Sequence, residues 1–434
     1  FPFIFRGALD VGATTINEEM KLACVRAIAD LAMAESSAEV AGAYGDAELT
    51  FGPEYLIPKP FDPRLIARIA PAVAKAAMDS GVATRPIADL EAYAEKLTEF
   101  VYKTSLFMRP VFNQARKDIK RIVLTEGEDE RVLHAAQQVV SQKLAFPILV
   151  GDAKLIEERL HSQGLTIQPG KDFELVDIKN SPYYEASWKE YYNLRKRKGV
   201  TEEMARRRLK ANSTLVGALL VRLGHADGLV CGTMGRFHDH FAVMEEVIGY
   251  NNPEKEAFAM NALISNKGNF FIADTYINEN PTAEQLANGT LMCAAEMKRI
   301  GLKPKVALVS NSNYGSHCSP DTRKMQRALE IIRELDPTLE IDGEMQADVA
   351  LDETMRKSIF PETTLSGAAN LLVMPNVEAA NISYNLLRVN ATNGITVGPI
   401  LMGLNKPVQI VTPISTVRRI VNMIALAVVD AQRQ

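Results

Sequence analysis

Over the first hundred residues, apolar positions recur every three or four, as in "NEEMKLACVRAIADLAMAE" and "RLIARIAPAVAKAAMDSG". That spacing predicts amphipathic helices. The first has a threonine cap in "TTIN" with glutamates three or four residues on. The second has a proline-stiffened entry, "IPKPFDP", and a glycine stop at Gly81. A third stretch, "RPIADLEAYAEKLTEFVYKTSLFMRPVFNQARKD", predicts a connecting helix that delivers the chain to a new domain. From residue 121 short β-rich runs alternate with helical ones. Strands are expected at "RIVLTEG", "FPILVGD", "ADGLVCG", "NFFIADT", "KVALVSNSNYGS" and "NLLVMPN". Helices follow at "EDERVLHAAQQVVSQK", "TAEQLANGTLMCAAEMKRIG" and "RKMQRALEIIREL". Such alternation predicts α/β architecture with covered parallel sheets, which bind ligands at the carboxyl ends of their strands. The last run, "VTPISTVRRIVNMIALAVV", predicts a helix with hydroxyl residues and two arginines at its start. Its apolar length suits either a buried helix or a subunit face.

Composition narrows the classes. The 434 residues are 47% hydrophobic and 24% charged, too long for one comfortable core, so two or three domains are expected. A net charge of −4 offers no basic excess for nucleic acid or an anionic membrane. No apolar run reaches the ~18–20 residues of a membrane span. Cys24, Cys231, Cys293 and Cys318 lack CxxC or zinc spacing and are expected as reduced thiols of a cytoplasmic protein. The opening "FPFIFRGALD", apolar from its first residue and without a signal pattern, is expected to continue a longer chain.

Five segments could carry chemistry. In "VSNSNYGSHCSPDTRK" a strand runs into Ser, Asn and Gly ahead of a helix bearing Arg323 and Lys324. Asn311, Tyr314, Gly315 and Ser316 could present backbone N–H groups to a phosphate, or form an ordinary polar loop. There is no P-loop pattern. "GRFHDHFAV" offers Arg236, His238, Asp239 and His240, which suits a metal or, better, hydrogen-bonded groups lining a cleft. In "LRKRKG", Arg195 and Lys196 either belong to a solvated helix face or reach a phosphate. Asp342, Glu344 and Asp348 in "IDGEMQADVAL" could hold Mg²⁺ or sit in a loop at a subunit contact. Thr412, Ser415 and Thr416 are cap residue types, Pro413 stiffens the entry, and Arg418 and Arg419 lie in a first turn. Cations there oppose the helix dipole at a cost of ~0.3–1 kcal/mol each, which a bound polyanion would offset.

Taken in order, "IVLTEGEDERVLHAA", "LRKRKGVTEEMA", "ADGLVCG", "IADTYINENPTAEQLA", "DGEMQADVAL" and "GPILMGLNKPV" resemble the phosphate acetyltransferase family over residues 115–434. The first hundred residues resemble the end of a bacterial malic enzyme, and the two together resemble long NADP-dependent malic enzymes with an acetyltransferase-like tail. The resemblance implies a two-lobed α/β fold with parallel and mixed sheets, of the isocitrate/isopropylmalate dehydrogenase kind, after a mainly helical remnant. Expected boundaries are residues 1–100 for the remnant, 105–250 with 395–434 for one lobe, and 251–394 for the other. It further implies a homodimer through the acetyltransferase-like part, larger assembly in the longer chain, and malate, NADP and Mg²⁺ or Mn²⁺ at sites preceding Phe1.

Members of the family share a Ser-Arg-Gly-x-Ser-Val-Glu-Asp stretch at the last helix, in which the Arg grips acyl phosphate or CoA and the Asp acts on the thiol. Aligned on the shared Ile-Val-Asn, this chain has Thr412, Pro413 and Arg419 at the Ser, Arg and Asp positions. Proline supplies no guanidinium, and arginine accepts no proton at neutral pH. Ala242 falls where a second arginine is expected, while Arg195 survives. The expectation is therefore a cleft that binds acetyl-CoA as a regulator and does not turn it over. Its contacts are expected near Asn311–Ser316, Arg236, Arg323 and residues 412–418. A working phosphate acetyltransferase and a purely structural tail are the competing readings.

Overall fold

The computed structural model describes residues 2–33, 57–58, 64–177, 180–265, 268–390 and 395–433. The chain divides into two compact units, Phe1–Arg109 and Pro110–Gln434, and the border falls inside the helix Leu90–Ala115.

The first unit is helical, as its apolar spacing requires. Helix Arg64–Asp79 turns Leu65, Ile69, Val73, Ala74 and Ala77 inward, against Ala8, Met20 and Leu31 of two neighbouring helices and Val11 of the turn between them. Gly81 ends that helix with φ +76, the expected stop. The cap of helix Glu18–Met33 differs from expectation: the Asn17 side chain, not a threonine, accepts from the Met20 N–H at 3.0 Å. Asn17 sits one residue before the helix, where an Asx oxygen reaches the third amide, whereas the threonines lie too far upstream. The expected proline-stiffened entry falls largely on residues 59–63, outside the described residues.

The second unit holds two sheets. Five parallel strands run in the order β11-β4-β1-β2-β3: β1 (Lys120–Leu124), β2 (Ala145–Val150), β3 (Glu174–Val176), β4 (Gly228–Cys231) and β11 (Val408–Ile410). The middle strands are continuous apolar runs because helices cover both faces. Six strands form the second sheet, ordered β10-β5-β6-β9-β7-β8: β5 (Phe258–Ser265), β6 (Gly268–Ala273), β7 (Lys305–Val309), β8 (Glu340–Met345), β9 (Leu371–Val373) and β10 (Ile395–Met402). Here β5 pairs antiparallel with β10 and β6, and the remaining pairs are parallel.

Two expectations change. Residues 395–402 belong to the second lobe, not the first, because β10 pairs with β5 along its length. The chain returns to the first lobe only at β11. "IDGEMQ" is no loop: Asp342 and Glu344 are buried on β8, beside β7. The terminal helix Val417–Ala431 resolves the other open choice. Its residues Ile420–Val429 are all buried within this chain, against the first sheet, β10 and the helix Glu130–Ser141.

Candidate functional site

The carboxyl ends of β1, β4 and β11 lie side by side, so the loops that leave them form one surface. Glu126 lies two residues past β1, with its side chain 8% exposed. Its carboxylate accepts from the Gly232 N–H at 3.0 Å and the Thr125 hydroxyl at 2.8 Å. Gly232 adopts φ +102 with its α-carbon against the Val411 carbonyl, where a Cβ would stand 2.4 Å from that oxygen. Only glycine lets the β4 and β11 loops close so tightly. Burial pushes the Glu126 carboxyl up, offset in part by His240 and by those hydrogen bonds.

His240 stands 4.0 Å from Glu126, in the first turns of the helix Phe237–Val247. Its Nε2 lies 2.7 Å from the Met234 carbonyl and its Nδ1 2.8 Å from the Thr214 hydroxyl. A carbonyl can only accept, so Nε2 carries a proton, while Nδ1 pairs with the Thr214 hydroxyl. His240 is thereby a fixed strut under the loop. His238 and Asp239 are exposed, and Asp239 pairs with the exposed Arg236 at 3.1 Å.

Arg131 joins the three loops. Asp129 caps helix Glu130–Ser141 and orients the guanidinium, which donates to the carbonyls of Thr233 (3.0 Å), Ser415 (3.1 Å) and Pro413. Burial opposes ionisation of Asp129, but the Arg131 bonds prevail and hold its pKa below the usual range. Among the expected residues, Thr412, Pro413, Ser415, Thr416, Arg418 and Arg419 do share one turn here. Thr412 and Ser415 are buried with their hydroxyls 3.3 Å apart, and Thr416 is the cap, accepting from the Arg419 N–H. Pro413 and Arg418 are exposed. The Arg419 guanidinium donates to the Thr396 hydroxyl of β10. Beside this turn, Met234 and Ile414 are 62% and 63% exposed, an apolar pair on adjoining loops flanked by Arg236 and Arg418.

The second lobe meets this surface through Tyr276, which follows β6. Its ring stacks on Phe237 with centroids 4.7 Å apart at 27°. Asp274 holds the loop in place: buried, with its carboxyl pushed up by burial, it accepts from the N–H groups of Tyr276, Ile277 and Asn278.

Other expected contacts are otherwise engaged. In the 311–316 loop the N–H groups of residues 313–316 are taken by protein acceptors. Tyr314 (φ +50) and Gly315 donate to the Glu344 carbonyl and carboxylate, Asn313 to the Ser316 hydroxyl, and Ser316 to the Asn313 carbonyl. The Glu344 carboxylate thus takes the Gly315 N–H. Asn311 is exposed. Arg323 donates to Cys318 Sγ, and Lys324 to Asn280 and the Pro375 carbonyl. Asp342 accepts from Arg333, Thr363 and Thr364, leaving its oxygens committed to protein donors. Arg195 pairs with Glu246 at 3.2 Å, as does Arg208 at 3.0 Å. Glu246 lies near the far end of the helix that starts at Phe237, ~13 Å along its axis from the cleft end. Arg195 is therefore a structural ion-pair residue.

The phosphate acetyl/butaryl transferase profile matches residues 106–428. The chain belongs to the phosphate acetyl/butaryl transferase family. Along its whole length it is 61% identical to the NADP-dependent malic enzyme of Salmonella typhimurium, covering 57% of that protein. It therefore spans just over half the length of such relatives. It is 33% identical over 331 residues to the phosphate acetyltransferase of Corynebacterium glutamicum, covering 75% of this chain and 98% of that one. The phosphotransacetylase structure from Streptococcus pyogenes superposes with a TM-score of 0.69 at 28% identity, over 75% of this chain and 99% of that one. Two family positions, those of Pro413 and Arg419, fall in the turn that Arg131 braces. Glu126, Arg131, Thr214, Phe237 and Tyr276 were missed as site residues from sequence. The polar run "TEGEDER" after a strand was the available signal for the first two. Tyr276 gave none, since only the tertiary fold brings it to Phe237.

Proposed function

We propose that this chain is the regulatory part of an NADP-dependent malic enzyme: a phosphate-acetyltransferase-like module that binds acetyl-CoA without transferring its acetyl group. The observation that carries this is Arg419. It stands where family resemblance places an aspartate, and its guanidinium is directed to Thr396. A permanent cation there neither accepts the thiol proton nor leaves room for a general base, a group worth ~10²–10⁴ in rate. Nearby, Met234 and Ile414 between Arg236 and Arg418 suit a ligand with an apolar arm and phosphates.

Acetyl-CoA then inhibits the malate-oxidising part by favouring one lobe arrangement. That coupling requires differential affinity between two states, typically ~1–3 kcal/mol. Malate, NADP and Mg²⁺ or Mn²⁺ belong, on this proposal, to the portion of the relatives that the chain does not span. The protein works in the cytoplasm as a homo-oligomer paired through the acetyltransferase-like part. The test is twofold: calorimetric titration with acetyl-CoA, and an assay of CoA with acetyl phosphate. Binding without product supports the proposal. Brisk acetyl-CoA formation favours an active transferase, and no binding at millimolar ligand favours a structural tail.

A further inference from the structure

The terminal helix Val417–Ala431 packs on the first sheet, yet its last turn is held from two sides. On one side stands Arg299, the last residue of the helix Ala283–Arg299, which packs on β5 and β9 of the second sheet. The Arg299 side chain is 7% exposed; it donates to Glu296 of its own helix through Nε (2.5 Å) and Nη2, and its Nη1 lies 2.7 Å from Asp430 Oδ1. Gln409 of β11, fully buried, backs the same carboxylate. Its Nε2 lies 3.4 Å from Asp430 Oδ2, and its Oε1 accepts from the Leu401 N–H of β10 at 2.9 Å. On the other side, Gln432 donates through Nε2 to the carbonyls of Gln114 (3.0 Å), Ala115 (3.1 Å) and Asp118 (2.7 Å), and its Oε1 accepts from Gln114 Nε2 at 2.9 Å. Gln114 and Ala115 end the connecting helix Leu90–Ala115, where the last carbonyls have no donor within the helix. One side chain of the terminal helix therefore caps the helix that leads back into the first unit. A largely buried ion pair adds little net stability, because desolvation of both charges offsets their attraction; fixing a register is its better-attested use.

We propose that residues 430–432 form a coupling joint: Arg299 fastens the end of the terminal helix to the second lobe, and Gln432 passes its position to the connecting helix. A change in lobe arrangement moves Arg299 relative to the first sheet. Asp430 then follows, or the ion pair breaks, and either event shifts Gln432 two residues on. The carbonyls at the end of the connecting helix keep or lose their donor accordingly. Coupling between sites requires an element with different contacts in two states, and this helix end meets that requirement. The joint rests on the regulatory reading for its use, since that reading supplies the ligand that biases the lobes, but its mechanics stand on the contacts alone.

The test is native-state hydrogen exchange of the full chain, read at the amides of Arg116 and Lys117, which donate to the carbonyls of Phe112 and Gln114 at 3.1 Å each. The variants are Gln432→Ala, Arg299→Gln and their double, with Asp430→Asn as a second way to break the ion pair at constant size. Gln432→Ala should quicken exchange at both amides about fivefold, the effect of one lost hydrogen bond. Arg299→Gln and Asp430→Asn should reproduce a large share of that, although Arg299 stands in the other lobe, and the double should add little. Amides of the β1–β2 pairing are the control, because general destabilisation quickens them equally and a transmitted loosening does not. The joint is overturned if Arg299→Gln leaves the two amides unchanged, moves them only in step with the β1–β2 amides, or adds strictly to Gln432→Ala. In a second arm, saturating acetyl-CoA should alter exchange at the two amides in the native chain, whereas Gln432→Ala should bind it equally in calorimetry without that change. Saturation with no change in the native chain, or a change that persists in Gln432→Ala, also overturns the joint. If the chain binds no acetyl-CoA, the regulatory reading fails by itself, and the ligand-free arm still decides the joint.

Discussion

The stack of Tyr276 on Phe237 is where the two lobes touch near the candidate cleft, and its removal is a direct perturbation of lobe closure. An offset aromatic pair contributes ~0.5–1.5 kcal/mol beyond the apolar area it buries. The 4.7 Å separation and 27° tilt place this pair within that favourable range. Tyr276→Ala also gives up ring burial, but a double-mutant cycle with Phe237→Ala isolates the contact itself. The expected coupling is about 1 kcal/mol, a factor of about five in a local opening equilibrium. Three amides report on it, those of Tyr276, Ile277 and Asn278, all bonded to the Asp274 carboxylate. Native-state hydrogen exchange should therefore quicken about fivefold at these amides in either single variant, with little further gain in the double. Equal exchange in all four proteins, or strictly additive effects, would show that the lobes are held apart from this contact and refute the reasoning.

Arg356 is fully buried and donates to the carbonyls of Val349, Ala350, Leu365 and Gly367, so Arg356→Met should destabilise the second lobe by ~3–5 kcal/mol in denaturant unfolding. Arg131→Ala should cost less, ~1–2 kcal/mol, because a third of its side chain faces water, yet weaken acetyl-CoA binding measured by calorimetry. Burial raises the folded pKa of Glu126, so the folded state binds the proton more tightly than the unfolded chain. The group's stabilisation is then complete below the ordinary carboxylate value and lost as pH rises through the raised one. Glu126→Gln should accordingly leave denaturation midpoints unchanged in acid and raise them at neutral pH.

Much of the fold was legible because its physics is local. The apolar run "RIVLTEG" and the amphipathic "EDERVLHAAQQ" became β1 and the helix after it because each pattern matches one period. The lobe boundary was not legible at β10: "ITVGPILM" reads equally well as a strand of either sheet, and its pairing with β5 is a contact across more than a hundred residues. The candidate turn at residues 412–419 was legible because its cap and hydroxyl residues lie in one segment. The site was not legible at Asn313–Ser316, whose Gly- and Ser-rich composition suggests an anion seat. Sequence shows the amides but not that Glu344 of β8 already occupies those of Tyr314 and Gly315. Arg195 failed similarly, since its partner Glu246 lies fifty residues on and claims the charge. Conversely, Arg131 derives its importance from carbonyls of three loops that a single segment does not reveal.

The central claim is that the Arg419 turn binds acetyl-CoA but lacks the proton acceptor for transfer. The most direct measurement follows both events in one preparation: calorimetric binding of acetyl-CoA alongside acetyl-CoA formation from CoA and acetyl phosphate, for the native chain and Arg419→Asp. Saturable binding with negligible formation in the native chain is the predicted result. Turnover in the native chain that matches or exceeds that of Arg419→Asp would contradict it.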